Sequence, residues 1–325
     1  MIGRMAAHTN SRFGSNPSRR EYRPKVVVLG DVVVDVVLSP GIKLESGTDV
    51  PGRVMLRQGG SGTTTARWLG RTGARAVLIG SIGRDAAGRA LVRTVEADGV
   101  VARVARIAGH ATGRIGVFVG PDGERSFVQD RAAALLLAPR HLRESWFAGA
   151  ELVHIPTYSL LGRPLGEAGL HAAELSHAAG SLVTVDLASS RPLLALGRRA
   201  ALDLVGAVAP DLIFTAGSEA EALVRSEEGL LDLAPIAVIK RGARGATVLF
   251  TEAGAARTLD VAARSMPSAE TTGAGDAFDA GFILGWLRAR RAGRPLAESL
   301  RLAAAAGNRL AARHLRERKR ELRLC

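Results

Sequence analysis

Residues 269–281 read AETTGAGDAFDAG, and this stretch predicts a glycine turn that leads directly into a helix. After Asp276, apolar side chains recur at 278, 282, 284, 286 and 287, which is helical spacing. The first turn of a helix has unpaired amide N–H groups and partial positive charge, so a glycine turn before it can bind an anion. Asp276 suits a reaction in which a hydroxyl loses its proton beside bound phosphate charge. The alternative is that Asp276 only stabilises the helix dipole.

The longer motif at 271–281 is more specific, because Thr-Thr-Gly-Ala-Gly-Asp-x-Phe-x-x-Gly resembles the second signature of the PfkB (ribokinase-like) sugar kinase family. In that family the Gly-Ala-Gly-Asp amides form an anion hole, and the Asp is the catalytic base. The resemblance therefore implies Asp276 as the base and Gly273, Ala274 and Gly275 as the anion hole.

Composition limits the class of protein. A chain of 325 residues with 47% apolar residues can bury a large core, as one α/β domain or two smaller ones. The single cysteine, Cys325, excludes an internal disulfide framework and favours a reducing, cytoplasmic location. Seven scattered histidines show no zinc-ligand spacing. We expect neither a membrane span nor a secretory signal, because no apolar run approaches ~20 residues.

The formal net charge of +13 raises the question of nucleic-acid binding. Only four of the 44 basic residues are lysines, and the arginines are spread along the chain. Basic residues concentrate only at 313–323, which is usually a solvated end. Nucleic acid is therefore disfavoured as a partner, since net charge bears on solubility and steering rather than on the reaction.

The order of apolar segments predicts the fold class. Residues 26–38 form a nearly continuous β-branched run, which is typical of a strand buried on both faces. We predict the later strands at 151–155, 181–186, 212–215, 236–240 and 247–250, and helices at 166–179, 191–204 and 219–226. Strands that alternate with helices predict an α/β, doubly wound and mainly parallel sheet flanked by helices, with ligands bound beyond the strand ends.

The resemblance supplies the domain organisation. It implies a ribokinase-like kinase domain at 25–312, with a small β-sheet lid from about 36–57 and 110–130. We expect residues 1–24 to be a disordered leader and residues 313–325 a basic C-terminal tail. The segment Pro-Asp-Gly at 121–123 predicts a hairpin, which in the family completes the lid and often a dimer contact. A homodimer through the lid is thus one expectation, and a plain surface hairpin is the other.

A second glycine stretch, RQGGSGTTTARWLG at 57–70, matches neither a Walker loop nor G-x-G-x-x-G. It resembles the first PfkB signature, whose Gly-Gly backbone and following Asn hold the sugar. The resemblance implies that Gly59 and Gly60 bind substrate, with Thr64 in the position of that Asn. It also places Asp35 at the edge of the sugar site, although Asp35 could instead lie in solvent at a strand end. Because Thr lacks the second hydrogen-bonding atom of an amide, the substrate should differ from ribose.

The resemblance also implies ATP and Mg²⁺ as cofactors. Residues 216–219 match the Asn-x-x-Glu motif that organises Mg²⁺, with Ala216 in place of Asn and Glu219 kept. Glu219 is expected to act on the metal through water, unless it is only an acid at a helix start. The residues that the resemblance assigns to ATP are Lys240, Gly242, Gly245, Thr272 and Asn308. The family usually begins the second signature with Asp, where this chain has Glu270.

The expected function is ATP- and Mg²⁺-dependent phosphorylation of a hydroxymethyl group on a sugar or sugar-like molecule. A nucleoside kinase of the adenosine type is an alternative, which the apolar Val33 near Asp35 favours mildly. An alternative of another class is a catalytically weak, sugar-sensing or nucleic-acid-associated relative, which the loss of Asn at Ala216 would favour. The intact Thr-Gly-Ala-Gly-Asp run argues against that last alternative.

Overall fold

The computed structural model describes residues 22–120, 124–188, 190–264 and 271–317. In chain order its strands are β1 (Lys25–Leu29), β2 (Val33–Pro40), β3 (Gly52–Gly59), β4 (Arg75–Gly83), β5 (Val101–Ile107), β6 (Arg114–Val119), β7 (Arg125–Asp130), β8 (Leu152–Pro156), β9 (Leu182–Asp186), β10 (Leu212–Ala216), β11 (Ile236–Lys240), β12 (Ala246–Glu252) and β13 (Ala255–Val261). Its helices are α1 (Ser61–Arg71), α2 (Ala86–Ala97), α3 (Glu144–Phe147), α4 (Leu165–Ala178), α5 (Ser190–Leu194), α6 (Arg198–Ala207), α7 (Gly217–Leu223), α8 (Ala274–Arg291) and α9 (Leu296–Arg316).

Nine strands form the main sheet, in the order β13-β12-β11-β10-β9-β8-β1-β4-β5. All neighbours from β11 to β5 are parallel, while β12 and β13 add an antiparallel edge. Alternate side chains of β1 enter two separate apolar cores: Val26 and Val28 pack on the face covered by α1, α8 and α9, and Val27 and Leu29 on the face covered by α4 and α6. The predicted doubly wound α/β fold is confirmed.

Four strands form a second sheet, in the order β3-β2-β6-β7, and this sheet is the predicted lid. The apolar run at 26–38 is not one buried strand, because β1 belongs to the main sheet and β2 to the lid. The chain passes from one sheet to the other at 30–32, where Gly30 and Gly62 lie so close that a Cβ on Gly62 would be 2.6 Å from the Cα of Gly30. Because β1 and β2 are both largely apolar, the sequence alone does not show this break.

The five later strands are confirmed, with bounds that differ from the prediction by at most two residues. The single helix predicted at 191–204 is wrong: α5 ends at Leu194, and Gly197, at φ 87°, separates it from α6. Strands β5 and β13 were not predicted, since both lie at sheet edges where exposed residues interrupt the apolar pattern.

Both expected ends of the domain need correction. Residues 22–24 are not part of a disordered leader, because the Tyr22 hydroxyl donates to Glu151 and the Pro24 carbonyl accepts from the Arg75 amide at 2.8 Å. At the other end, residues 313–316 form the last turn of α9 rather than a tail. The remaining residues of the expected leader, the hairpin tip at 121–123, Glu270 and residues 318–325 lie outside the described residues.

The topology gathers the glycine stretches at one end of the sheet. Helix α1 packs against α8, which brings the first glycine stretch next to the second. The lid lies at this same end of the main sheet. Of the helices in the described ranges, none combines the length and the apolarity that crossing a membrane demands.

Candidate active site

The turn before α8 has a defined shape. Gly273 has φ 87° and ψ 0°, values of the third residue of a type II turn, which an L side chain rarely adopts. The Ala274 amide closes this turn by donating to the Thr271 carbonyl at 3.0 Å. The Ala274 amide thus has an acceptor within the turn, and its expected role in the anion hole stays a prediction. The Gly275 and Asp276 amides find no acceptor among the described residues, and these two donors start the helix.

Asp276 lies half-buried in the first turn of α8. Its Oδ1 accepts a hydrogen bond from the Ser61 hydroxyl at 2.6 Å, so the start of α1 orients the start of α8. Burial raises the pKa of Asp276 to about 7, with Ser61 opposing that rise and the charge of Asp186 adding to it. A carboxyl group with a pKa near 7 is poised to exchange a proton at neutral pH.

Asp276 faces a cavity of 770 Å³ between the main domain and the lid. The cavity brings together most residues that the sequence assigned to substrate and catalysis. Those that line it are Asp35, Gly59, Gly60, Thr64, Gly273 and Asp276, and Thr272, which the resemblance assigned to ATP, lines it too. The other residues predicted for ATP and metal, Lys240, Gly242, Gly245, Asn308 and Glu219, do not line it.

The substrate-side residues are held by local contacts. Asp35 is not at a strand end but within β2, and a Cβ on Gly59 would lie 2.0 Å from its Oδ1, so a side chain at position 59 would displace the Asp35 carboxylate. The Thr64 hydroxyl donates to the Gly60 carbonyl at 2.9 Å, which directs that hydroxyl back to its own helix. The Thr64 methyl group would be 3.4 Å from a Cβ on Gly273. The two glycine stretches therefore touch at Thr64.

Further residues that the sequence did not assign to the site line the cavity, among them Asp31, Ser61, Arg131, Tyr158 and His314. Asp31 is buried and pairs with Arg131 at 2.9 Å, and Arg131 in turn stacks over Tyr158. Ser61 holds the carboxyl group of Asp276. His314 contacts the turn before α8. The position of Ser61 directly after the Gly59–Gly60 pair could have identified it as a site residue. Nothing in the sequence around His314 indicates a role in the site.

Lys240, which the resemblance assigned to ATP, is surrounded by carboxylates. Its ammonium group does not point to solvent but lies 3.0 Å from Asp186 Oδ1 and 3.3 Å from both carboxylate oxygens of Asp279. Burial alone would lower the pKa of Lys240, but the two carboxylates raise it above its ordinary value, so Lys240 stays protonated. The ammonium would be 3.5 Å from a Cβ on Gly275. Lys240 thus joins β9, β11 and α8 directly behind the predicted anion hole.

The loop at 240–245 and Asn308 meet at the end of β13. The Arg241 amide donates to the Gly245 carbonyl at 2.8 Å, which closes the loop. Asn308 Nδ2 donates to the carbonyl groups of Val261 and Ala262, at 3.1 and 3.3 Å. A small cavity of 230 Å³ opens beside this loop, lined by Arg241, Arg244, Ala246, Thr247, Asp260, Val261 and Ala262. Arg241 pairs with Glu227 and donates to the Thr247 hydroxyl at 3.2 Å, so Arg244 is the guanidinium group beside this loop that is best suited to phosphate oxygens.

Glu219 lies in the first turn of α7, where its Oε2 accepts from the Ala216 amide at 2.7 Å. Burial raises the pKa of Glu219, and the nearby charge of Asp186 adds to that effect. Within the described ranges, no group of three or more His, Cys, Asp or Glu side chains could hold a metal ion. The Glu219 carboxylate thus has a partner in the Ala216 amide, and its predicted role toward Mg²⁺ stays a prediction.

The structure is an α/β fold with a four-stranded lid over the cavity that holds Asp276. Residues 23–315 match the pfkB family of carbohydrate kinases, and the chain belongs to that family, whose members are phosphotransferases. The chain is 28% identical over 277 residues to a fructokinase from Salmonella typhimurium, which covers 80% of this chain and 83% of that protein. It is 30% identical to a probable fructokinase-4 from Arabidopsis thaliana over 164 residues, about half the length of either protein.

Solved structures show the same fold at lower identity. An adenosine kinase from Sinorhizobium meliloti superposes with a TM-score of 0.78 at 24% identity, covering 91% of this chain and 95% of that one. A putative ribokinase II from E. coli, in complex with ATP and Mg²⁺, superposes with a TM-score of 0.75 at 22% identity, covering 91% and 94%. These likenesses confirm the ribokinase-like fold.

Proposed function

We propose that the protein phosphorylates a hydroxymethyl group of a sugar or sugar-like acceptor with ATP. The observation that carries this proposal is the placement of Asp276 at the floor of the lid-covered cavity, on a helix start with two amides that have no acceptor among the described residues. Transfer of a phosphoryl group to a hydroxyl requires a base for the hydroxyl proton and an anion site for the developing charge, and the first turn of α8 has candidates for both.

Each residue of the floor has a role in this reaction. Ser61 donates to Oδ1 of Asp276, which directs Oδ2 toward the acceptor hydroxyl that loses its proton. The Gly275 and Asp276 amides, with the Gly273 amide, donate to the developing charge. Asp35, at the opposite wall, accepts hydrogen bonds from acceptor hydroxyls. Because phosphoryl transfer depends on positioning and charge more than on base strength, a carboxylate is an adequate base.

The described residues fit ATP and Mg²⁺. When bound, ATP would supply the phosphoryl group, and Mg²⁺ would neutralise phosphate charge. The two open amides of α8 and the guanidinium group of Arg244 are donors suited to phosphate oxygens, while Arg241 is paired with Glu227. Magnesium usually keeps several waters and few protein ligands, which agrees with Glu219 acting through water. The neighbour crystallised with ATP and Mg²⁺ supports the same cofactor pair.

The lid favours a nucleoside as the second candidate acceptor. One row of side chains across the cavity face of the lid is entirely apolar, and register pairing places its members side by side: Met55, Val37, Val117 and Phe127. Phe127 is 50% exposed, and such a ring can stack on a base. An adenosine kinase and an aminoimidazole riboside kinase among the structural neighbours support this alternative.

The third hypothesis, a catalytically weak sugar-sensing or nucleic-acid-associated relative, gains no support from the site. The base, its hydroxyl partner and two helix-start amides are all in place.

Location and assembly are separate questions. The single cysteine continues to favour a reducing, cytoplasmic compartment. A homodimer through the lid also stays a prediction, supported by the exposure of Val128, which lies on the opposite face of β7 from Phe127. Sedimentation of the wild-type protein and of Val128→Glu would test that dimer.

The experiment for the proposed function is an ATP-consumption screen across pentoses, hexoses, sugar phosphates and nucleosides. We expect one class to stimulate ATP turnover in the wild-type protein and not in Asp276→Asn. The matched control is Asp203→Asn, because Asp203 is an exposed carboxylate on α6 far from the cavity. Stimulation by nucleosides alone would select the second candidate. Equal turnover in wild type and Asp276→Asn would overturn the proposed mechanism.

A further inference from the structure

His314, in the last turn of α9, lies between two hydrogen-bond partners on different elements. Its Nδ1 is 3.0 Å from the indole Nε1 of Trp68 on α1, and its Nε2 is 2.9 Å from the carbonyl oxygen of Thr272. An indole N–H can only donate and a carbonyl oxygen can only accept. The two contacts are therefore both satisfied only when Nδ1 is unprotonated and Nε2 carries the proton. The surroundings select the neutral Nε2–H tautomer of His314.

Trp68 is itself held in place, so it can impose this tautomer. Its side chain is 3% exposed, and its ring is covered by the guanidinium of Arg71 at 4.2 Å and approached by that of Arg313 at 5.4 Å. The rings of Trp68 and His314 meet edge to face, with centroids 5.8 Å apart. The imidazole thus has a fixed position as well as a fixed proton.

The carbonyl group that His314 binds belongs to the central peptide of the turn before α8. Type I and type II turns differ by a flip of that peptide, and Gly273 has the type II values. In a planar trans peptide the Thr272 carbonyl and the Gly273 N–H point in opposite directions. A donor that holds the carbonyl on one side therefore keeps the Gly273 N–H on the other side, away from α9.

Two further contacts restrict the same peptide. A Cβ on Gly273 would lie 3.0 Å from Cε1 of His314, so the imidazole packs directly against the turn. From the lid, Arg125 on β7 donates to the side-chain hydroxyl of Thr272. Helix α9 thus holds the central peptide of the turn, and the lid holds the Thr272 side chain.

We propose that His314 is a positioning residue for the anion hole: as the neutral Nε2–H tautomer it holds the Thr272–Gly273 peptide so that the Gly273 N–H stays directed at the bound anion. This role rests on the proposed function of the α8 start as an anion hole. It assigns to the end of α9 a part in catalysis, exerted through the Thr272–Gly273 peptide.

The tautomer can be tested in the wild-type protein by ¹⁵N NMR of the imidazole nitrogens at pH 7.5. We expect the His314 Nε2 to carry the proton and Nδ1 to resonate as an unprotonated nitrogen. The indole N–H of Trp68 should show a coupling or shift that is lost in His314→Ala. An imidazolium ring, or a proton on Nδ1, would overturn the proposal.

Two variants separate the hydrogen bond to Thr272 from packing. His314→Ala should lower kcat by ~10–100-fold with little change in KM for the acceptor, because a small misplacement of catalytic groups can cost that much. His314→Gln keeps an N–H donor at the position of Nε2 and should restore kcat to within ~5-fold of wild type. The matched control is His177→Ala, since His177 on α4 makes the same kind of contact, Nε2 to the Val208 carbonyl at 3.0 Å, far from the cavity. A kcat for His314→Ala equal to that of wild type, or for His314→Gln as low as that for His314→Ala, would contradict the proposal.

A binding measurement distinguishes failure of this proposal from failure of the proposed function. The probe is the magnesium complex of AMP-PCP, titrated against the ¹⁵N-labelled protein. We expect the Gly273 amide resonance to shift strongly in the wild-type protein and in His314→Gln, and weakly in His314→Ala. Equal shifts in all three proteins would overturn the role of His314, even if the wild-type protein is an active kinase. A clear difference would support it even if the acceptor screen fails.

Discussion

Replacement of Asp276 by Asn should stabilise the folded protein while it removes activity. Burial raises the pKa of Asp276 from the ordinary 3.8 to about 7. The folded state therefore binds this proton more tightly than the unfolded state, and ionisation of Asp276 reduces the free energy of unfolding as the pH rises from about 4 to about 7. At 1.36 kcal/mol per pKa unit, a rise of about three units corresponds to about 4 kcal/mol above pH 7. Because water in the cavity reaches this carboxyl group, we expect about 2–4 kcal/mol.

The assay is urea unfolding of wild type and Asp276→Asn at pH 4.5 and pH 8, followed by circular dichroism. The variant should be more stable by about 2–4 kcal/mol at pH 8 and by less than about 1 kcal/mol at pH 4.5, since Asn has no charge to bury. Its kcat should fall by ~10²–10⁴-fold, the usual loss for a general base. The kcat/KM of the wild-type protein should fall tenfold per unit below about pH 7. A variant that is less stable than wild type at pH 8, or that loses less than fivefold in kcat, would refute this reasoning.

Three further changes probe the surroundings of the base. Ser61→Ala removes a hydrogen bond that lowers the pKa of Asp276, so the acidic limb of the kcat/KM profile should move up by about one pH unit; an unmoved limb would remove Ser61 from the mechanism. Lys240→Met leaves two buried carboxylates unpaired and should lower the free energy of unfolding by about 3–5 kcal/mol, and Asp279→Asn in the same chain should recover part of that loss; urea unfolding that shows no recovery would contradict the network. Glu219→Gln should raise the free Mg²⁺ needed for half-maximal rate by ~10-fold at saturating Mg·ATP, and an unchanged titration curve would leave Glu219 as a helix-start acid only.

Local patterns predicted the fold and the central residue. The glycine turn, the helix after it and Asp276 lie within one short stretch, so neighbouring residues determine their conformation. The later strands alternate with helices in a way that admits few topologies, and the parallel sheet follows from that order. The pfkB family match then covers residues 23–315, which includes all of the predicted domain at 25–312.

The residues that sequence reasoning missed depend on contacts between distant parts of the chain. Ser61 and Asp276 are separated by 215 positions, and Trp68 and His314 by 246. No periodicity or spacing shows such a meeting, because it arises only when α1, α8 and α9 pack together. His314 also lies in a basic segment that is typical of a solvated end, which concealed its contact with the Thr272 carbonyl.

Lys240 shows a different limit of sequence reasoning. A lysine at the end of a strand and before a glycine loop is compatible with a phosphate contact, and that was its predicted role. The same local sequence is equally compatible with a side chain that turns inward, toward Asp186 on β9 and Asp279 on α8, as in this structure. The direction of a long side chain depends on which carboxylates the fold places near it, and the local sequence does not contain that information.

The central claim is that the protein transfers a phosphoryl group to a primary hydroxyl, with Asp276 as the base. It is tested most directly by proton-coupled ³¹P NMR of the product formed from ATP and the acceptor selected by the screen. Transfer to a hydroxymethyl group predicts a phosphomonoester signal split into a triplet by two methylene protons, formed by wild type and not by Asp276→Asn within the same time. A doublet from a secondary carbon, release of inorganic phosphate alone, or equal product from both proteins would contradict the claim.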